Sequence, residues 1–353
     1  MVVAPPPASP AERPLGAKEI QAKLLRLLPR YVKDKEGWAV DIQVPFTTLN
    51  INPSSENLCA VIAVVEQESS FDPNPKVANL GKIALEEIYA RGAKRKIPAV
   101  AITGFLNLTS KDGRTYKKRI ETAKTEGELS QLYMEMTDRV PFGRDFFEEY
   151  NPIRTAGAMQ VSVSFANNHL KTASYPYQIS DSLRQEAFTR RGGLYFGIAH
   201  LLAYQAHYDA PIYRFADYNA GRYASRNAAF QKAVTLISGI DIVSDGDLLS
   251  YEKGKPKSSA THAALKAIAA KANLSSASIL DDLEKEKLYS FYQTPTYTNI
   301  LSLADRINKR PVARNVIPEI VLQGPKIKRK FTTSGFAEKV NQRMRQCLMR
   351  ESG

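Results

Sequence analysis

The sequence predicts a mainly α-helical protein, and two observations carry this prediction. Between residues 17 and 33, apolar side chains recur at the three- and four-residue spacing that fills one face of a helix. Similar helical patterns cover most of the chain after residue 183, where Ile317–Leu322 is a candidate for one short strand. The helices predicted in this second half span residues 183–210, 226–238, 262–272, 276–291, 297–309 and 335–349.

Length and charge narrow the class of protein further. The chain has 353 residues, with 49 lysines and arginines against 36 acidic residues, and a formal charge of +13. This length suits one large domain or two ordinary ones. Two cysteines are too few for a disulfide-stapled miniprotein or a four-cysteine zinc module. We therefore expect a soluble globular protein whose basic surface favours an anionic partner: nucleic acid, anionic lipid or an acidic cell-wall glycan.

The third predicted helix, at about residues 56–70, contains the first candidate for chemistry. Its middle, Leu58–Val65, is apolar on every side, which predicts a buried helix, and its eight residues are too few to span a membrane. Glu68 follows, directly before a Ser-Ser-Phe turn. A carboxyl group at the end of a buried helix is partly desolvated, which raises its pKa and suits it to general-acid catalysis. An ordinary charged helix end is the structural alternative.

Two later segments are also unusual. Gly157–Ser162 places small residues beside methionine and glutamine, which indicates backbone in close approach to a neighbour or, alternatively, an ordinary core turn. Tyr218–Arg222 follows a predicted helix that contains Gly192, Gly193 and Gly197. Its Asn-Ala-Gly sequence is also typical of a helix C-terminus.

In this order, the three segments resemble the motifs of bacterial soluble lytic transglycosylases, whose catalytic domain has the goose-type lysozyme fold. That family carries Glu-Ser-x-Phe-x-Pro, then Gly-Leu-Met-Gln-Ile, then Ala-Tyr-Asn-Ala-Gly. The counterparts here are Glu68–Pro73, Gly157–Val161 and Asp217–Gly221. Residues 191–202 resemble the Gly-x-x-Tyr-Leu helix that precedes the last motif. The sequence departs from the pattern at Ala158, Val161 and Asp217, and a much longer stretch separates its first two motifs.

The whole chain is also similar to a family of proteobacterial lipoproteins defined only as a domain of unknown function. This second resemblance rests on Gly37-Trp38-Ala39 near the start and Pro325-Lys326-Ile327 near the end.

The resemblances imply a lysozyme-like core that carries a long helical insertion and a helical C-terminal extension. We expect a flexible leader at residues 1–15, a catalytic domain at 16–240 with its insertion at about 74–150, and the extension at 241–353. Within the insertion, helices are predicted at 79–91 and 121–138. Two basic clusters lie in the insertion, Lys94-Arg95-Lys96 and Lys117-Lys118-Arg119. We expect them near the rim of the groove in which the lysozyme-like core would bind its glycan.

The implied reaction is the cleavage of peptidoglycan between N-acetylmuramic acid and N-acetylglucosamine. Glu68 would protonate the glycosidic oxygen and then accept a proton from the muramic C6 hydroxyl, which closes a 1,6-anhydro ring without water. The substrate's acetamido group can stabilise the positive centre, so a second carboxylate is not required. Asp72 is the nearest alternative partner. The resemblance implies substrate binding by Ser69, Gly157, Met159, Gln160, Tyr218 and Asn219.

The sequence predicts no cofactor and no metal site, because its four histidines form no His-Glu-x-x-His pattern. Tyr195, Tyr213, Tyr218 and Tyr223 are candidates for stacking on sugars or for core packing. Nucleic-acid binding is not expected, since the basic run at Lys326–Lys330 comes with no binding motif. The competing hypothesis is a protein that binds peptidoglycan or an envelope partner without cutting it.

The start of the chain has neither the basic nor the apolar region of a signal peptide, which fits either a cytosolic protein or an exported one whose signal was removed. Its Pro/Ala/Ser composition is typical of a tether. We expect a periplasmic protein whose signal was removed or not included. It would be held at the outer membrane by a lipid anchor absent from this chain. Cys59 is interpreted as a buried small hydrophobe, and Cys347 as part of a basic C-terminal helix.

Overall fold

A computed structural model describes residues 15–139, 153–179, 181–252, 255–322 and 331–351, and confirms the mainly helical class. The helices of the first half are α1 (Ala17–Leu27), α2 (Lys35–Thr48), α3 (Ser55–Glu68), α4 (Leu80–Lys94), α5 (Ala99–Leu106), α6 (Tyr116–Thr122), α7 (Glu126–Asp138) and α8 (Val163–His169). Those of the second half are α9 (Leu183–Phe188), α10 (Arg190–Leu202), α11 (Ile212–Ala220), α12 (Ala224–Ser238), α13 (Ala260–Ile268), α14 (Ser276–Leu283), α15 (Pro295–Asn308) and α16 (Thr333–Met349).

Three short antiparallel hairpins accompany the helices in the described residues. Their strands are β1 (Thr155–Ala156) with β2 (Val161–Ser162), β3 (Ser250–Glu252) with β4 (Lys255–Lys257), and β5 (Val321–Leu322) with β6 (Phe331–Thr332). The predicted strand at Ile317–Leu322 is thus reduced to its last two residues. Pro318 lies within that run, and a proline cannot donate a hydrogen bond to a strand ladder.

Helix α3 lies at the centre of the main hydrophobic core. Ser54 caps its N-terminus by accepting a hydrogen bond from the backbone N–H of Asn57 at 3.1 Å. Every residue from Leu58 to Val65 is buried, as the all-round apolar pattern predicts. The predicted boundaries of about 56–70 agree with the observed Ser55–Glu68 to within two residues.

The long helix predicted at 183–210 is wrong, because the chain breaks into α9, α10 and a loop that runs to Pro211. The break falls at Thr189, whose backbone is extended and whose hydroxyl caps α10 by accepting from Gly192 N at 3.0 Å. The helix predicted at 276–291 likewise ends at Leu283, and a short 3-10 helix follows at Tyr289–Gln293.

The segment predicted to be an insertion has a small hydrophobic core of its own, built by α4 to α7. Leu80, Leu106, Tyr116, Ile120 and Leu132 are buried together in it. The helix predicted at 79–91 is confirmed as α4. The one predicted at 121–138 begins only at Glu126, where Thr125 and Glu128 form a capping box.

The C-terminal third divides between two hydrophobic clusters. Residues 242–304 pack on α12 in one cluster, whereas α16 returns to α3 and belongs to the main core. The domain boundaries and the lysozyme-like fold remain predictions. Among the described residues, no helix is both long enough and apolar enough to cross a membrane.

Candidate active site

The first motif lies where α3 emerges from the core. Glu68 is its last residue and is half-buried, and the Ser69 hydroxyl closes the helix by donating to Val65 O at 3.1 Å. Ser70 and Phe71 both have positive φ, 51° and 63°, so the chain turns at once. Phe71 is thereby directed back into the core, where its ring meets Trp38 edge-on at 5.1 Å. This anchored turn fixes the end of the helix that carries Glu68.

Burial raises the pKa of Glu68 from 4.5 to about 7. Desolvation is the cause, because the charged form loses water, and no cation among the described residues offsets this loss. A carboxyl group with this pKa is protonated in a large fraction of molecules at neutral pH, which is the state a general acid requires.

The other acidic residues near the motif are engaged elsewhere. Glu66 Oε1 accepts from the Tyr31 hydroxyl at 3.0 Å and pairs with Arg343 Nη1 at 3.0 Å. Asp72, the alternative partner in the sequence analysis, is exposed and accepts from the backbone N–H of Asn74 at 3.0 Å. Glu148 and Glu149, which precede the second motif, lie outside the described residues.

The second motif forms the turn of the β1–β2 hairpin, which the sequence analysis did not foresee. Gly157 has a φ of +72° and Gln160 a φ of +50°, and Gln160 N donates to Gly157 O at 2.9 Å. A Cβ on Gly157 would lie 2.5 Å from Ala187 O and 2.7 Å from the Cα of Gly193. A Cβ on Gly197 would lie 2.5 Å from Met159 Sδ. Because Gly193 and Gly197 have no side chain, the turn can pack directly against the backbone of α10, and a larger residue at either position would prevent this.

Three predicted substrate-binding residues of this turn have structural contacts. Gln160 Oε1 accepts from the Thr155 hydroxyl at 2.9 Å, and its Nε2 donates to Gly157 O at 3.3 Å. Gly157 and Met159 are buried, and the Met159 side chain has no exposed surface. The contacts given for these residues are within the protein, and a direct role in substrate binding stays a prediction.

The third motif joins the other two. The Tyr218 hydroxyl donates to Met159 O at 2.7 Å. Burial raises the pKa of Tyr218 well above its usual value, and the nearby charge of Glu68 raises it further. Tyr218 therefore bonds to the second motif and interacts electrostatically with Glu68 of the first. The structure brings together three segments that are far apart in sequence.

Asn219 and Asp217 flank Tyr218 and differ in environment. Asn219 is half-buried, and its Oδ1 accepts from the Thr333 hydroxyl at 2.9 Å. Asp217 is fully buried and accepts four hydrogen bonds. Its donors are the hydroxyls of Tyr204 and Tyr208 and the backbone N–H groups of Tyr223 and Ser225. This departure from the family motif thus anchors the start of α12.

His200, which the sequence indicates as a packing residue, lies beside the third motif. Its ring packs 5.0 Å from that of Tyr218, and its buried Nδ1 has no hydrogen-bond partner among the described residues. Burial lowers the pKa of His200 to about 4, so the ring is neutral at physiological pH. The sequence signal was a histidine inside the apolar helix that precedes the last motif. Of the other proposed stacking residues, Tyr195 and Tyr223 are buried in the core.

The structure also joins the two cysteines, which the sequence analysis treated separately. Cys59 in α3 and Cys347 in α16 form a disulfide with their Cα atoms 5.5 Å apart. Among the described residues, no group of three or more His, Cys, Asp or Glu side chains could hold a metal ion.

The fold and site thus define a mainly helical protein with one desolvated glutamic acid at the meeting point of three short motifs. The chain belongs to the family described as "Protein of unknown function (DUF1615)", whose model matches residues 31–350. It is 41% identical over 345 residues to the uncharacterized protein YaiW of Escherichia coli strain K12, covering 98% of this chain and 93% of that protein. No solved structure matches the chain. The predicted similarity to a family of unknown function is confirmed.

Proposed function

We propose that this protein is a peptidoglycan lytic transglycosylase that uses Glu68 as its single acid and base. The observation that carries the proposal is the raised pKa of Glu68, about 7, at the point where the three motif segments converge. One carboxyl group with this pKa can protonate the leaving oxygen and then, as carboxylate, accept the proton of the C6 hydroxyl. No cofactor takes part in this reaction.

The engagement of the neighbouring acids favours this mechanism over hydrolysis by two carboxylates. Glu66 is neutralised by Arg343, and Asp72 is exposed and bonded to its own turn. A hydrolase would need a second carboxylate positioned to activate water or to form a glycosyl-enzyme intermediate. Within the part of the chain described here, neither acid offers one.

The disulfide supports a site of action outside the cytosol. Structural disulfides persist in oxidising compartments such as the bacterial periplasm and are rare in the cytosol. We propose a periplasmic protein that acts on peptidoglycan glycan strands and is tethered to the outer membrane by a lipid anchor outside this chain. Metabolic labelling of the natural precursor with a palmitate analogue tests the anchor. A precursor that stays unlabelled and fractionates as a free protein would contradict it.

Substitution of Glu68 by glutamine tests the proposal directly. The amide keeps the size of the side chain but cannot deliver a proton, so cleavage of purified sacculi should fall by about 10²–10⁴-fold. Glu56→Gln, at the exposed opposite end of the same helix, is the matched control and should cleave at the wild-type rate.

Asp72→Asn completes the set and should also retain activity. Loss of cleavage in this variant, with Glu68→Gln still active, would give the catalytic role to Asp72. If the wild type binds sacculi but releases no fragments, the protein is the non-catalytic binder of the competing hypothesis.

A further inference from the structure

The C-terminal helix α16 runs antiparallel to α3 along its whole length. Cys347 is bonded to Cys59 in the first half of α3, whereas Arg343, one turn earlier in α16, contacts Glu66 and Gln67 near its end. The start of α16 therefore lies beyond the end of α3, on the side where Glu68 emerges. A helix that follows the last motif by more than a hundred residues thus borders the candidate active site.

The first residue of α16 makes a specific contact there. Thr333 is fully buried, its backbone N–H donates to Ile320 O at 3.1 Å, and its hydroxyl donates to Asn219 Oδ1 at 2.9 Å. The bond to Ile320 holds the backbone of Thr333, so its hydroxyl meets Asn219 from a fixed position. Because the Asn219 amide is planar, holding its oxygen also fixes the direction of its Nδ2–H groups.

The Nδ2 group of Asn219 is the part left for a ligand. No described residue accepts a hydrogen bond from it, and Asn219 is half-buried at the end of α11, next to Tyr218. A sugar hydroxyl or acetamido carbonyl is an acceptor of the type that such a group binds.

We infer that Thr333 is a positioning residue, which orients Asn219 so that its amide N–H groups face the glycan. This inference rests on the proposed function. It gives the C-terminal helix, which lies outside the three motifs, a role in orienting a residue of the site. The disulfide serves the same arrangement, because it fixes α16 on α3 and so fixes the place of Thr333 relative to Glu68.

The test compares Thr333→Val with Thr333→Ser on soluble, uncrosslinked glycan strands. Valine keeps the shape but removes the donor, so KM should rise about three- to tenfold, the worth of one hydrogen bond, with little change in kcat. Serine restores the donor and should restore KM. A merely structural effect would follow the thermal stability of each variant instead of the presence of the hydroxyl.

Thr261→Val is the matched control, because Thr261 is also buried and hydrogen-bonded, to Gln231, but lies in α13, whose apolar residues belong to the cluster that packs on α12. It should leave KM unchanged. An active wild type with equal KM for Thr333→Val overturns the inference alone. A rise in KM that serine fails to reverse also overturns it. A wild type that releases no fragments removes the proposed function, and the inference with it.

Discussion

Glu68 owes its chemistry to its position at the end of a helix rather than to a charged partner. Eight consecutive buried residues hold α3 in the core, and the helix ends at Glu68, which is half-buried. Phe71 then closes the turn against Trp38, which fixes the end of the helix that carries the carboxyl group. The cost of this desolvation is the source of the raised pKa.

The raised pKa makes stability depend on pH in a predictable direction. The folded protein holds the Glu68 proton up to a pKa of about 7, whereas the unfolded chain releases it near 4.5. The stabilisation is therefore complete below pH 4.5 and is lost as pH rises to 7. Between these limits the free energy of unfolding should lose up to about 3 kcal/mol from this group.

Urea unfolding of the wild type and of Glu68→Gln at pH 5 and pH 8 measures this loss. Other titrating groups contribute equally to both proteins and cancel in the difference. The variant should gain stability relative to the wild type at the higher pH. A stability difference that is the same at both pH values would mean that Glu68 has an ordinary pKa.

At the scale of elements, the site depends on the hairpin turn of β1 and β2 pressed against α10. Gly157 is required twice, once for its positive φ and once because a Cβ would meet Ala187 O and the Cα of Gly193. Backbone atoms cannot move aside as the end of a flexible side chain can. The turn that carries Met159 and Gln160 can therefore pack this closely on α10 only when residue 157 is glycine.

Gly157→Ala should destabilise the protein by about 3 kcal/mol or more, as the sum of left-handed strain and overpacking. Gly113→Ala is the matched control, because Gly113 also has a positive φ, +82°, but has open space where a Cβ would lie. It should cost about 1–2 kcal/mol, the strain alone. Chemical denaturation of both variants gives the difference, and equal losses would contradict the close packing of the turn on α10.

The disulfide between α3 and α16 gives a second prediction at this scale. Replacing both Cys59 and Cys347 by alanine should lower the free energy of unfolding by about 2–4 kcal/mol. A reductant should destabilise the wild type and leave the double variant unchanged. Thiol labelling of the unfolded wild type without reductant should find no free thiol. Two reactive thiols in protein isolated from the periplasm would contradict the bond.

Local features of the sequence could predict part of this site, and long-range contacts account for the rest. The burial of α3 and the position of Glu68 follow from one short apolar run, so they could be read directly. The break at Thr189 could not, because apolar residues at helical spacing stand on both sides of it and a hydroxyl cap decides the boundary. Cys59 and Cys347, 288 residues apart, pair only because α16 folds back on α3. The contact of Thr333 with Asn219 depends on the same return.

On the scale of the whole molecule, the charge of +13 suits a polymer that carries lactyl and stem-peptide carboxylates. The two basic clusters of the insertion differ in this respect. Lys94 and Lys96 are exposed, whereas Arg119 is paired with Glu135 at 2.6 Å and with Asp112 at 3.3 Å. Arg119 therefore stabilises the insertion, and capture of the polymer by the exposed lysines stays a prediction.

Mass spectrometry of the fragments released from purified sacculi tests the central claim most directly. One acid that acts in turn as acid and base, with neither Glu66 nor Asp72 free to activate water, should yield chains that end in 1,6-anhydromuramic acid. These ends should appear with the wild type and with Glu56→Gln, and be absent with Glu68→Gln. Ends heavier by one water would show hydrolysis and would contradict the single-acid mechanism at Glu68.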